Sequence, residues 1–536
     1  MLKPKAPPYD VLEWEKQPFE TRLKMVCGAW ALHGYGAPVT VYFAYLVKIA
    51  GYVGVWWSLC TRVNAEPGWW SQPDALLRAV LWSMLYEGLG FGCGSGPLTG
   101  RYFPPFGGVL YYLRPGTLKS PLVGGAKRTF LDILLYLAFC GAAGYALWSK
   151  DITPPHLFAV LAPLAALGLL DRTIFLATRA EHYAVALLCF ALASEPVAAL
   201  KLVWVAVWWW AATSKLNRHF PSVVCVMMSN SPWVPQFFRK KMYVAFPDDL
   251  RPSRLATVLA HAGTVVEYAF PVVLLLGDGG PLTMGALVTM LGFHTFITSN
   301  VPMGVPIEWN VVMVYGGFLL FGAHADVSVS AAGSLPLYAI LAFALVLVPA
   351  FGNRFPQFVS FLLSMRYYAG NWAYSVWLFR GDASEKLDRH LTKSAPRVYD
   401  QLTKFYEHET IVAMLSKVVA FRAMHLHGRL LTLLVPKAVD DIDAYEWLDG
   451  ELVAGVVIGW NFGDGHLHDH RLLAAVQDAC GFEPGELRCI FVESQPILDP
   501  KLTWRIWDAA TGEIETGATS IDTLEARQPW GAAPNT

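Results

Sequence analysis

HYAVALLCFALASEPVAALKLVWVAVWWWAATSKLN, residues 182–217, reads as two apolar runs, 182–200 and 201–214, opened by His182 and closed by Ser214-Lys215-Leu216-Asn217. A helix that crosses the hydrocarbon of a bilayer needs roughly 17–25 such residues. Working outward, apolar runs recur at 37–60, 75–92, 129–148, 155–170, 255–276, 282–300, 308–323 and 336–352. The spans number about ten, and the short ones read as tilted, broken or re-entrant segments. The expected fold is an α-helical polytopic membrane domain followed by a small α/β or α+β soluble C-terminal domain.

Composition points the same way. Of 536 residues, 54% are hydrophobic and 15% charged, with a mean hydropathy of +0.38; soluble domains carry about 25% charged residues. The 21 Trp and 22 Tyr suit a protein with two water–lipid boundaries, where amphipathic rings settle. A net charge of -1 and the lack of a basic stripe give no case for a nucleic-acid partner. Eight scattered cysteines form no C-x-x-C pair, which argues against a thiol redox motif or a zinc knuckle. Met1 to Lys24 mixes Lys, Glu and Pro ahead of any apolar run and is not a cleavable signal peptide.

The loops orient the chain. Lys and Arg collect before the first run (Lys16, Arg22, Lys24), between the second and third (Arg101, Arg114, Lys119, Lys127, Arg128), after the fourth (Arg172, Arg179) and after the sixth (Arg218, Arg239, Lys240, Lys241, Arg251, Arg254). Gly277–Gly280 and His324–Ser334 have none. With an even number of spans the basic loops share one side, the cytoplasmic face of a plasma membrane, and both termini lie there. Residues 1–36 then form an N-terminal cytoplasmic segment and 37–356 the multi-pass domain. The aromatic stretch 357–381 is expected to be an interfacial linker helix, and 382–536 a soluble domain. Within the last, 382–430 and Arg471–Ala479 read as helical. Val453–Trp460, Leu487–Val492 and Leu502–Trp507 read as β, and Thr511-Gly512 as a turn.

Ionisable groups inside lipid are costly and are kept where they pair or work. Four stand out: His182, Lys215, Glu267 and His294. From the loop orientation His182, Lys215 and His294 fall at compatible depths in the cytoplasmic leaflet. Each also has a plain structural reading. Lys215 could snorkel to phosphate, the histidines could be satisfied core residues, and Glu267, ahead of Pro271, could bond a neighbouring helix across a kink. A desolvated lysine, by contrast, offers a neutral amine as base.

The set Leu170-Asp171-Arg172-Thr173, His182-Tyr183, Lys215-Leu216-Asn217, Glu267 with Pro271, and Phe293-His294 resembles, in order and spacing, the vitamin K-dependent gamma-carboxylase family and the bacterial horizontally transferred transmembrane domain. The chain as a whole looks like an uncharacterised family of bacterial multi-pass proteins. The carboxylase resemblance implies a lysine, here Lys215, that deprotonates a reduced quinone in a dry pocket lined by His182 and His294. In a bacterium the cofactor it implies is reduced menaquinone or another isoprenoid quinone. Asp171, Arg172, Asn217 and Glu267 would then serve substrate or lipid binding. The large β-rich peptide-holding domain of that family is not recognised in the smaller tail.

Two more stretches carry candidate chemistry. Gly463–His470 brings His466, His468 and His470 within five residues. They could ligate a metal, or form a polar loop leading into a helix capped by Asp469; a metal is not the expected cofactor. Gly88–Gly108, with Arg101, could approach a phosphate headgroup, or be a flexible loop. The leading expectation is a lipid- or quinone-binding membrane protein using Lys215 as a base, with membrane lipid as its partner. The alternatives are a non-catalytic lipid-binding or transport-assisting module whose tail docks a protein partner, and a metal-dependent hydrolase in the tail.

Overall fold

The structure is a computed structural model and describes residues 3–92, 107–302, 306–358, 366–459 and 464–531. It is predominantly helical. The helices that build the apolar part are α1 (Phe19–His33), α2 (Val39–Thr61), α3 (Pro73–Gly88), α4 (Phe130–Trp148), α5 (Pro154–Leu170), α6 (Ala180–Leu192), α7 (Pro196–Ser214), α8 (Phe220–Asn230), α9 (Arg254–Leu276), α10 (Pro281–Thr298), α11 (Ile307–Ala323) and α12 (Leu335–Arg354). Local sequence starts them. Thr129 and Asp132 close a capping box on α4, Ser253 caps α9, and proline opens α3, α5, α7 and α10, where its missing N–H costs nothing.

Six of these helices, α2, α4, α7, α9, α10 and α12, are long and apolar enough to cross a membrane. Of the roughly ten expected spans, six are therefore helices of full spanning length. The runs at 155–170, 182–200 and 308–323 become helices of 17, 13 and 17 residues, and 75–92 becomes the 16-residue α3. At about 1.5 Å per residue the shortest covers only about two-thirds of a ~30 Å hydrocarbon layer. The runs 182–200 and 201–214 are also redivided. Pro196 cannot continue a helix from 182, so α6 stops at Leu192, and the Glu195 side chain caps α7 by accepting from Val197 N at 3.1 Å. The outer faces stay apolar: Phe43, Leu46, Leu134, Val265, Leu282, Val288 and Val346 are all exposed, as a lipid-facing surface requires.

The connections gather at two ends. At one, Arg78 of α3 donates to the carbonyls of Leu147, Ser149 and Lys150 at 2.8–3.0 Å. There too Lys201 donates to His324 O and Val327 O at 2.9 and 2.6 Å, and His324 to Ser71 O at 2.8 Å. At the other end the basic loops meet the C-terminal part. Tyr112 donates to Gly459 O at 3.2 Å, Gln528 to Asp249 at 2.7 Å, and Arg218 pairs with Asp522 and Glu525.

The C-terminal part is built on a five-stranded antiparallel sheet of β1 (Tyr374–Arg380), β2 (Tyr445–Asp449), β3 (Leu487–Val492), β4 (Lys501–Asp508) and β5 (Gly512–Ser520), in the order β2-β1-β3-β4-β5. Around it lie α13 (His408–Ala423), α14 (Leu426–Ala438), α15 (Gly450–Val457) and α16 (His470–Cys480). The α13–α14 pair is apolar too, but it bends by 106° at its break, and Leu430, Leu431, Leu434 and Val435 of α14 share a core with β1 and β3. β1 corrects the expected interfacial helix over 374–380; residues 359–365 of that stretch lie outside the described residues. Tyr374, Trp377 and Phe379 are not surface anchors but part of a central strand buried from Tyr374 to Phe379, so a boundary at 382 would cut the sheet. Val453–Trp460 was expected to be β and falls largely on α15, because Asp449 accepts from the N–H groups of Glu451 and Leu452 and caps a helix there. The helix at 471–479, the strands at 487–492 and 502–507 and the turn at Thr511-Gly512, with Gly512 at φ +89°, coincide with expectation.

Candidate functional site

The first turn of α11 holds Glu308, Trp309 and Asn310 side by side. Consecutive helical residues point about 100° apart, so the three reach three different neighbours. Glu308 forms an ion pair with Lys48 of α2 at 2.5 Å. The Trp309 indole N–H donates to His182 Nε2 on α6 at 2.5 Å. Asn310 Oδ1 accepts from His294 Nδ1 on α10 at 2.6 Å, while its amide donates to Pro306 O at 2.7 Å and braces the turn.

His294 is fully engaged. An indole N–H can only donate, so the 3.1 Å contact from Trp208 Nε1 makes His294 Nε2 an acceptor and places the proton on Nδ1, facing Asn310. The ring is a neutral imidazole in one assigned tautomer. The ring centroids of His182 and His294 lie 5.8 and 6.4 Å from that of Trp309, so two histidines over a hundred residues apart flank one indole.

Lys215 caps the end of α7 and forms a buried ion pair with Glu267 of α9, the helix that packs beside α7. Lys215 and Glu267 are each 4% exposed, so the lysine does not snorkel to a headgroup. The carboxylate does what the plain reading of Glu267 foresaw and bonds a neighbouring helix. The Lys215 ammonium also lies 5.4 and 5.5 Å from the rings of Phe220 and Phe293. A further buried pair, Glu87 with Arg179 at 3.5 Å, sits beside His182 at the start of α6.

Other expected site residues have other work. Asp171 pairs with Arg128 at 2.7 Å and caps the turn at Thr173. Arg172 donates to Ser120 Oγ at 2.8 Å. Both tie down the loop around Arg128, whose guanidinium lies over Tyr111 and Tyr112. Asn217 accepts from the N–H groups of His219 and Phe220 at 2.7 and 3.2 Å, which shapes the turn carrying Lys215. Arg101 lies outside the described residues.

The three tail histidines do not converge. His466 donates to Asp464 at 2.8 Å and to Glu493 at 3.0 Å. His468 shares a 2.6 Å hydrogen bond with Ser375, and His470 lies against Trp507. The short turn Gly465–His468 followed by α16 rotates them apart. Among the described residues, no group of three His, Cys, Asp or Glu side chains is placed to hold a metal ion. Burial opposes charge on His466, but Glu493 and Asp464 outweigh it and hold the imidazolium up to about 10. Burial would raise the Asp464 carboxyl, and its bonds to His466 hold it below the usual carboxylate range instead. Asp464, His466 and Glu493 form a charged clamp between the end of β3 and the turn before α16, with Asp464 and His466 buried and Glu493 partly exposed.

The sequence reading missed Glu308, Trp309, Asn310, Lys48 and Trp208. A glutamate at the opening of the apolar run from 308 was the available signal, by the same rule on intramembrane ionisable groups that drew attention to Glu267.

The family described as a transmembrane protein of unknown function (DUF3556) matches residues 1–536. No curated protein and no solved structure matches. The family match carries no link to the gamma-carboxylase superfamily.

Proposed function

The chain belongs to the DUF3556 family of transmembrane proteins, and from its buried site we propose that it binds a lipid-soluble ligand between its helices, an isoprenoid quinone in reduced form being the chemistry that fits best, with Lys215 as the base. The observation that carries this reading is the Lys215–Glu267 pair, sealed from solvent and flanked by the flat faces of Phe220 and Phe293. A buried lysine that served only to anchor the protein in lipid would reach the headgroups. When bound, a reduced quinone supplies an acidic phenolic hydroxyl. Lys215 would take up that proton in the form where Glu267 has accepted the lysine's own; the positive charge then on Lys215 would be balanced by the negative charge left on the ligand, so no unpaired charge is left in a dry site. His294, fixed as a neutral donor–acceptor, and His182, held by Trp309, keep the surrounding wall ordered.

In this reading the chain crosses the plasma membrane an even number of times, with both termini and the sheet on the cytoplasmic side. The gathering of connections at two ends and of the basic loops against the C-terminal part supports that topology.

Mass spectrometry of lipids that copurify in mild detergent tests the proposal, comparing wild type with the paired substitution Lys215→Met, Glu267→Leu. A near-stoichiometric isoprenoid quinone lost in the variant supports it. Ordinary phospholipid alone in both favours a non-catalytic lipid-binding module.

A further inference from the structure

We propose that the loop between β3 and β4, Glu493–Pro500, is a membrane anchor whose tip, Ile497-Leu498, inserts into the bilayer interface beside the end of α12. Leu498 is 96% exposed and holds φ +66°. A leucine in the left-handed region is a rare conformation, held here in a segment bracketed by Pro496 and Pro500. Such an outlier persists where the surroundings over-determine it and often marks a working position. The loop has not simply failed to fold inwards. Asn371 accepts from Gln495 N at 2.7 Å and donates to Gln495 O at 2.8 Å, Asp499 N donates to Pro496 O at 3.1 Å, and the Asp499 carboxylate accepts from Lys501 N at 3.0 Å. A pinned loop with two branched aliphatic residues aimed outward presents them to something apolar.

The neighbourhood says what that is. Ile497 N donates to Asn353 O at 2.8 Å, and Asn353 belongs to the last turn of α12, a helix of spanning length. Phe351, Phe355 and Phe358 are exposed at this same end. The tip therefore continues the lipid-facing surface of a spanning helix rather than forming an isolated patch. Arg354, beside Phe355, and Lys501, at the start of β4, are exposed cations at the rim, positioned for lipid phosphate. A protein partner would have to displace lipid from the end of α12 to reach the same surface.

The loop also leads back to the buried site. Gln495 Oε1 is 2.8 Å from His219 Nε2, and His219 lies four residues beyond Lys215, in the turn shaped by Asn217. Contact with lipid at Leu498 is thus linked through one side-chain bond to the segment that carries Lys215.

Spin labels test this on the full chain in nanodiscs of phosphatidylcholine and phosphatidylglycerol. A label at Leu498→Cys, a second at Ile497→Cys and a control on the exposed β4–β5 turn at Thr511→Cys are compared for collision with oxygen, which concentrates in lipid, and with a water-soluble nickel chelate. Labelled wild-type protein supplies the background from native cysteines. The proposal expects both loop labels to favour oxygen and resist the chelate, and the Thr511→Cys label to do the opposite. Chelate access at both loop positions equal to that at the control overturns it, as does shielding from both reagents, which would mean a protein-covered tip.

Discussion

Lys215 and Glu267, 52 residues apart and on neighbouring helices, form an ion pair in which neither side chain is more than 6% exposed. Removing one partner leaves a buried charge without compensation, which costs about 3–5 kcal/mol, whereas replacing both with apolar groups of similar volume is often neutral. Lys215→Ala and Glu267→Ala should each lower the unfolding midpoint in detergent strongly, and Lys215→Met with Glu267→Leu should recover most of the loss. Additive losses in the paired variant would show that the two side chains do not act as a unit.

Trp309 should matter as a hydrogen-bond donor as well as for its bulk. Trp309→Phe keeps an aromatic ring but leaves His182 Nε2 a buried acceptor without its donor. That costs about 1–3 kcal/mol. Thermal unfolding should show it, and a variant as stable as wild type would mean the bond contributes nothing.

The tail clamp sets a pH dependence. His466 is held protonated in the folded protein to about 10, above its ordinary value of 6.5. Its contribution is therefore complete below pH 6.5, where the unfolded chain is protonated as well, and is lost as pH rises towards 10. The midpoint of the wild type should fall across pH 7–10, and His466→Gln should flatten that slope. Equal slopes would place the titration elsewhere.

Gly450 is a steric requirement of the same region. A Cβ there would lie 2.2 Å from Ser375 Oγ and 2.5 Å from His468 Nδ1, so Gly450→Ala forces β1 and the His468 turn apart. Overpacking of this kind costs about 1–3 kcal/mol, measurable in denaturant unfolding. A variant that unfolds like wild type would show that Ser375 and His468 move aside freely.

The membrane character and the titratable residues were legible because each rests on one dimension of the sequence: the length of an apolar run, or a charge within it. The span count was less so. A 13-residue helix such as α6 and a 19-residue one such as α7 look alike when only three residues, Ala193 to Glu195, part them. The aromatic run at 374–379 misled because a strand buried on both faces loses the alternation that marks a strand, leaving only its apolarity. Val453 to Val457 misled in the opposite sense: the β-branched run suits a strand, but the Asp449 cap decides for a helix. The role of α11 was invisible because three adjacent residues that serve three separate partners show no spacing pattern. It emerges only when α2, α6 and α10 surround that turn.

The central claim is that the Lys215–Glu267 pair faces a lipid-soluble ligand. The most direct measurement is calorimetric titration of a short-chain menaquinol, kept reduced under anaerobic conditions, into the detergent-solubilised protein, for wild type and for the folded variant Lys215→Met, Glu267→Leu. The account predicts saturable binding near one per chain in wild type, weakened at least about tenfold in the variant, a loss of about 1.4 kcal/mol. Equal isotherms for the two proteins, or no saturable binding to wild type, would contradict it.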